Sequence, residues 1–427
     1  MTVVTAMALL AASCSALGDR RASPTTLAPS PGSRQPGPAY TSQPERRYLT
    51  IGTNDGSQFT EEAYADIAAN YDVVVFAKFH AGWDVARHHE ATRRLKELNP
   101  DLEVYAYMST KYWFNGFDWG EDAIDPAWFL RDRTGAVIPV TKESQNPDSK
   151  ELGSYVDVTN PDYRAWIVAV ARRWMAAAPY DGVRFDAADP VGDFGPRDVR
   201  RWEDLLEPGR VEAYNEGIVD LLGEADDALA PGRVLFNGIS PSPIRGPSRN
   251  LELLGVTDGA MDENFCVDAD GQFHDLEADV AIMEGNPGKR LQLRAAVDPD
   301  ALDPERLATI RRVCVGTFLL GWQPGASSLN LGRGYGLDQL GHQPPELDAN
   351  LGAPLGPHTR DGDVLIRPFE RGRVVVNLGT EPAGITLPTP VVALTGGGVG
   401  PAETGVTVPP GDAAILLEAA LVAPAGS

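Results

Sequence analysis

The chain has 427 residues, 43% of them hydrophobic and including 8 Trp, 12 Tyr and 13 Phe, a composition that buries a large core and excludes a disordered or fibrous chain. Its 37 basic and 60 acidic residues leave a formal charge of −23, which repels phosphate backbones, so nucleic acid is not an expected partner. The sequence carries no membrane-length apolar stretch, no Cys/His cluster at zinc spacing and no phosphate-binding glycine loop, so neither a metal nor an organic cofactor is expected.

The run from Met1 to Cys14 is apolar but too short to span a bilayer, and it ends in Ala11-Ala-Ser-Cys14. It resembles a lipoprotein signal, which implies lipidation of Cys14; an ordinary cleaved secretory peptide is the alternative. Residues 15–46 are rich in Ser, Thr, Pro and Gly with almost no aliphatics, so they read as a disordered tether. Both readings place the folded part outside the cytoplasm, as a cell-surface lipoprotein or a secreted protein that meets a membrane only through a lipid anchor.

From Tyr48 onward, short runs rich in Val, Ile, Tyr and Phe alternate with stretches of helical period. Eight strands are expected, at Tyr48 to Thr53, Asp72 to Phe76, Glu103 to Met108, Gly182 to Asp186, Arg233 to Asn237, Gly259 to Glu263, Arg290 to Arg294 and Ala326 to Leu331. Helices fit between them, with Thr60 and Asn160-Pro161 as start signals for two. Eight such units over about 285 residues fit a (β/α)8 TIM barrel, which usually takes about 250. The barrel is assigned to residues 47–357. After Pro357 the texture changes to short alternating segments split by Pro and Gly, which predicts a small C-terminal antiparallel β-sandwich domain over 358–427.

In such barrels the chemistry lies at the carboxyl ends of the strands. In chain order these tips deliver Asn54 with Asp55, Lys78 with His80, Tyr107, Asp186 with Asp189, Asn237, Glu263 with Asn264, and Arg294. Strand alternation puts Arg184 and Asp186 on one face, where a guanidinium beside the carboxylate would keep it ionised; a buried ion pair capping the strand is the plainer reading. Asp186 and Glu263 are acids on different strands that can face each other across the mouth. Cleavage of a glycosidic bond needs such a pair, one ionised and one protonated. Glu263, among Met261 and Phe265, is expected to be the protonated one, with Asp262 pointing outward. The segment 109–154 is long for a barrel loop and carries Trp113 and Trp119 among other aromatics, the ring type that stacks on sugar faces. Cys266 and Cys314 sit in apolar surroundings and are expected to be unpaired thiols, although an oxidising compartment would allow them to pair.

The sequence resembles hypothetical glycosyl hydrolase family 15, a group of barrels related to the alpha-amylase and alpha-galactosidase superfamilies. The residues that carry the likeness are Asp125-Pro-Ala-Trp-Phe-Leu-Arg-Asp132, Val156-Asp-Val-Thr-Asn-Pro-Asp-Tyr163, Tyr180-Asp-Gly-Val-Arg-Phe-Asp186, Asp258-Gly-Ala-Met-Asp-Glu-Asn-Phe265 and Phe369-Glu-Arg-Gly-Arg-Val-Val-Val-Asn377. The resemblance implies hydrolysis of O-glycosidic bonds in an oligo- or polysaccharide, with Asp186 at the nucleophile position and Glu263 at an acid/base position. A retaining mechanism is expected. Arg184, Lys78, His80, Tyr107, Trp113, Trp119, Asp189, Asn237 and Arg294 are the expected sugar-binding residues. The alternative function is a non-catalytic cell-surface barrel that binds carbohydrate without cutting it. Departures from alpha-amylases, whose acid is on strand five where this chain has Asn237, make starch an unlikely substrate; Ala187 and Ala188 after Asp186 argue equally against chitin.

Overall fold

The computed structural model describes residues 47–51, 59–76, 85–114, 124–141, 151–190, 202–239, 247–268, 271–297, 302–332, 343–396 and 398–422. They divide into two compact units that meet in sequence between Glu263 and Asn264. In the first, β1 (Tyr48–Ile51), α1 (Glu61–Asn70), β2 (Val73–Phe76), α2 (Val85–Leu98) and β3 (Glu103–Ser109) come first. Three short strands follow, β4 (Tyr112–Phe114), β5 (Pro139–Thr141) and β6 (Glu151–Tyr155). The unit continues through α3 (Pro161–Ala177), β7 (Gly182–Asp186), α4 (Trp202–Leu205), α5 (Arg210–Leu229), β8 (Arg233–Asn237), α6 (Pro247–Gly255) and β9 (Gly259–Asp262). The second unit holds α7 (Leu276–Gly285), β10 (Arg290–Ala295), α8 (Pro304–Gly321) and β11 (Ser327–Leu331). It then forms β12 (Thr359–Asp361), β13 (Val364–Phe369), β14 (Gly372–Asn377), β15 (Ala383–Thr395), β16 (Gly398–Val399), β17 (Glu403–Val408) and β18 (Asp412–Glu418).

The eight-stranded parallel sheet has the order β1-β2-β3-β7-β8-β9-β10-β11, and Arg47, just before β1, makes a parallel bridge to Leu329 of β11. The architecture is a (β/α)8 barrel with a C-terminal antiparallel β domain. The last strand of the parallel sheet ends at Leu331, and the first of the C-terminal antiparallel strands begins at Thr359.

The strands form where the sequence offers short β-branched runs bounded by turn residues. In β2, Val-Val-Val-Phe, all four residues are buried, as a strand covered on both faces requires. Parallel register aligns Tyr48 with Val73, Tyr105 with Gly182 and Asn237 with Met261, so alternate residues of neighbouring strands share the interior. Tyr48, Val73, Val75, Tyr105, Leu235 and Met261 pack there as one cluster. Gly182 has to be glycine, because a Cβ would stand 2.9 Å from the Tyr105 ring and 2.2 Å from the Arg233 carbonyl oxygen.

Around the first unit, helix ends follow ordinary capping chemistry. Thr60 Oγ1 accepts from Ala63 N at 3.3 Å, and Asn160 Oδ1 accepts from Asp162 N at 2.9 Å, with Pro161 opening α3. On α2, His88 is fully buried, its ring 5.1 Å from Phe76 and 5.8 Å from Trp174. Burial, with a smaller contribution from neighbouring His89, holds the His88 imidazole well below its ordinary value. The unfolded chain therefore binds this proton first, and stability is lost as pH falls below the ordinary histidine value of about 6.5. Thermal melts between pH 7 and pH 5 are expected to show this loss, and His88→Phe to flatten it; an unchanged pH slope would contradict the assignment.

In the second unit, α8 packs on β14 and β18, where Arg312 grips Asp412 with Nε at 2.9 Å and Nη2 at 2.7 Å. Arg367 of β13 donates from Nη1 to the Leu319 and Trp322 carbonyl oxygens, satisfying the carbonyl end of α8. Cys266 and Cys314 are bonded to each other, with Cα atoms 5.5 Å apart, which corrects the expectation of free thiols. The reason is local: Cys266 adopts a left-handed φ of 68°, its N–H is held 2.9 Å from Asp279 Oδ2 at the start of α7, and this turn brings its sulfur to Cys314 on α8.

Candidate active site

Asp186 is the last residue of β7, and a hydrogen-bonded group is built around it. Tyr107 of β3 donates its hydroxyl to Oδ2 at 2.6 Å, and Asn237, the last residue of β8, donates Nδ2 to Oδ1 at 2.6 Å. Two strands thus fix the carboxylate from either side, each through a neutral donor. The backbone is held as tightly. Thr110 N donates to the Asp186 carbonyl at 2.9 Å and Ala188 N to the Asn237 carbonyl at 3.0 Å, while Ala187 between them takes a left-handed φ of 55°. Such a conformation costs a non-glycine residue about 1–2 kcal/mol and persists only where the surroundings enforce it.

The residue after Asn237 completes the turn. Gly238 has φ 133°, and a Cβ there would lie 2.7 Å from Asp189 Cβ and 2.8 Å from Asp189 N. Gly238→Ala is therefore expected to displace the 187–189 turn and to lower activity more than tenfold while leaving the distant barrel intact. A crystal structure and initial rates of the variant check this; wild-type rates would contradict it.

Asp189 is half-exposed, and Lys111, two residues past β3, reaches it with its side chain. Lys111 is 2% exposed; its Nζ donates to Asp189 Oδ1 at 3.0 Å and to the Asp189 carbonyl at 2.7 Å. The sequence reading missed Lys111, although alternation along Tyr107, Ser109 and Lys111 puts all three on one face. Arg184 lies two residues before Asp186, about 7 Å lower in the barrel. It is 1% exposed, with Nη1 2.9 Å from Met261 Sδ and 3.3 Å from Thr50 Oγ1. The expected face is right, but these partners set Arg184 in the core layer beneath the mouth.

Glu263 is the first residue after β9 and is half-buried, whereas Asp262 is 3% exposed. Met261 has its sulfur in the barrel interior, so alternation turns Asp262 to the opposite side, and Glu263 follows as the first residue of the turn. In the sheet order β9 is two strands from β7, two spacings of about 4.8 Å each, and the register sets Asp186 level with Asn237 and Met261, so Glu263 stands two residues further along.

The long segment after β3 contains a sheet of its own, ordered β4-β6-β5. On it, Tyr112 faces Lys111 and Tyr155, with ring centroids 5.0 Å apart in the tyrosine pair, and Trp113 faces the other way. Trp113 packs 6.0 Å from Trp166 of α3, and Trp128 packs 5.6 Å from the same indole. Trp113 is thus a member of an outer aromatic cluster on α3. In the second unit, Arg294 of β10 is buried, with Nε 3.3 Å from the Gly332 carbonyl, and Asn264 is half-buried. Cys14, Asn54, Asp55, Lys78, His80 and Trp119 lie outside the described residues. Among the described residues no group of three or more His, Cys, Asp or Glu side chains could hold a metal ion, and no helix is long and apolar enough to cross a membrane.

The model of hypothetical glycosyl hydrolase family 15 matches residues 96–373, which include Tyr107, Asp186, Asn237 and Glu263. The chain belongs to this family. It is by that membership a glycoside hydrolase, with a carbohydrate as its substrate. No curated protein matches it. Among solved structures, the galactosidase domain of an alpha-galactosidase-sucrose kinase, AgaSK, is 13% identical with a TM-score of 0.50, covering 88% of this chain and 55% of that one. An Anoxybacillus alpha-amylase is 13% identical with a TM-score of 0.48, covering 88% of this chain and 98% of its own. The glycoside hydrolase domain of PelA from Pseudomonas aeruginosa is 15% identical with a TM-score of 0.41, covering 69% and 96%. At these identities the likeness is one of fold.

Proposed function

We propose that this family member is a retaining glycoside hydrolase of an oligo- or polysaccharide, with Asp186 as nucleophile and Glu263 as acid/base. The observation that carries the reading is the Asp186 carboxylate, at a strand tip, with each oxygen accepting a 2.6 Å hydrogen bond from a different neighbouring strand. An acid held in one orientation is what attack on an anomeric carbon requires.

In the first step an Asp186 oxygen attacks the anomeric carbon while Glu263 gives its proton to the departing glycosidic oxygen, and a glycosyl ester of Asp186 forms. In the second step the Glu263 carboxylate takes a proton from water, the resulting hydroxide attacks the same carbon, and Asp186 leaves as carboxylate. Tyr107 and Asn237 stabilise that leaving carboxylate, so they assist the second step. Asp189 accepts a hydrogen bond from a sugar hydroxyl; Lys78, His80 and Trp119 complete sugar binding, and Arg184 supports the mouth from beneath.

The same reading puts the enzyme outside the cytoplasm, tethered through residues 15–46 from a lipid on Cys14 or secreted. The Cys266–Cys314 disulfide supports this, because such bonds persist in oxidising compartments. Following the first-formed product by proton NMR tests the mechanism: retention of the anomer is expected, and inversion would overturn the nucleophilic role of Asp186. Tyr107→Phe is expected to slow the second step more than the first, so that the glycosyl-enzyme accumulates in intact-mass spectra. No accumulation, with both steps unchanged, would remove Tyr107 from the account.

A further inference from the structure

We propose that Lys111 is a positioning residue of the active site, holding Asp189, and through it the turn that carries Asp186, in the geometry for sugar binding and attack. The inference rests on the reading of Asp186 as nucleophile and extends it to a residue with no other assigned part. Lys111 is an ammonium 2% exposed, and both of its hydrogen bonds end on Asp189, one on the side chain at 3.0 Å and one on the backbone carbonyl at 2.7 Å. A charge taken out of water at this depth is poorly explained as a source of stability, since an apolar side chain of similar volume serves packing equally well or better. What the ammonium does and a methionine cannot is grip two atoms of one residue at once.

Those two atoms matter because of what lies on either side. Asp189 Oδ2 has no hydrogen-bond partner among the described residues, so the grip on Oδ1 leaves one carboxylate oxygen of a half-exposed side chain to meet a sugar hydroxyl. Three residues upstream is Asp186, joined to Asp189 by Ala187 in its left-handed conformation and by Ala188, whose N–H is bound to Asn237. The absence of a Cβ at Gly238 lets Asp189 settle against that residue. Lys111 and Gly238 therefore both bear on the turn at Asp189, and the strained peptide at Ala187 would relax if either were changed.

The experiment compares Lys111→Met, Lys111→Arg, Asp189→Asn and the double variant Lys111→Met/Asp189→Asn. The probe is the para-nitrophenyl glycoside that the wild-type enzyme turns over fastest in a panel, with melting temperatures measured alongside. Lys111→Met is expected to lower kcat/KM about 100-fold with little change in melting temperature, Lys111→Arg to recover part of the loss, and the double variant to lose clearly less than the two single losses combined, as residues sharing a contact require, with Asp189→Asn the milder single change because the bond from Lys111 to the Asp189 carbonyl survives in it. In hydrogen–deuterium exchange, which needs no substrate, Lys111→Met should speed exchange at Ala188 and Asp189. Unchanged kcat/KM in Lys111→Met, additive losses in the double variant, or unchanged exchange would each overturn the inference. A wild-type enzyme inert on every glycoside would instead sink the hydrolase mechanism, and the exchange result would then decide the hold of Lys111 on the turn by itself.

Discussion

Asp186→Asn is expected to lower kcat by at least about 1,000-fold, equivalent to about 4 kcal/mol of transition-state stabilisation. The amide matches the carboxylate in size, and its oxygen still accepts from a neighbour, so the variant keeps its fold and its melting temperature within a few degrees. What it loses is the anion that forms the bond to the anomeric carbon. Glu263→Gln is expected to be comparably impaired on natural linkages, but far less so on substrates with an activated aryl leaving group, whose departure needs no proton in the first step. The contrast between the two variants separates their roles: Asp186→Asn stays inert with every leaving group. Initial rates on an aryl glycoside and on the polysaccharide measure it, and wild-type rates in both variants would remove the mechanism.

The second large effect concerns stability. Replacing both Cys266 and Cys314 by serine is expected to cost about 2–5 kcal/mol, because the bond closes a long loop of the unfolded chain. For a domain of 150–250 residues this corresponds to a fall in melting temperature of roughly 4–20 °C. Wild-type protein in reductant should melt at the lowered temperature, and the double serine variant should be insensitive to reductant. The bond ties the turn after β9 to α8 within the second unit, so its loss is expected to free residues 264–275 first. Identical melting with and without reductant would show that the bond does not contribute.

Much of the barrel was legible because its strands are short apolar runs with turn residues at both ends. Gly182–Asp186 and Arg233–Asn237 match the expected limits in full, five others differ by one residue at one end, where pairing with neighbours decides the last hydrogen bond, and the first is described as Tyr48–Ile51, with 52 and 53 outside the described residues. The sheet β4-β6-β5 was not legible. Its pairing of Trp113 with Ser154 joins residues far apart in sequence, and three-residue strands carry too little pattern to reveal themselves.

The site divides in the same way. Asp186, Tyr107 and Asn237 were named as candidates because strand tips are where a barrel displays polar groups, and the structure joins all three in one hydrogen-bonded group. Arg184 shows the limit of alternation, which gives the face of a strand but not the depth: at two residues' rise beneath the tip, its partners are Thr50 and Met261. Trp113 shows another limit, since aromatic content says nothing of which side of a hairpin a ring takes. The disulfide was missed because apolar context suits a buried thiol and a buried disulfide equally, and only the left-handed turn at Cys266 distinguishes them.

The most direct test of the account is to trap the covalent intermediate. Incubation with a 2-deoxy-2-fluoro glycosyl fluoride of the matching sugar, followed by proteolysis and peptide mass spectrometry, should show a single added glycosyl group on the peptide containing Tyr180 to Asp186, with fragmentation placing it on Asp186. An adduct on any other residue, or an enzyme that hydrolyses the parent sugar with retention yet never carries the label, would contradict it.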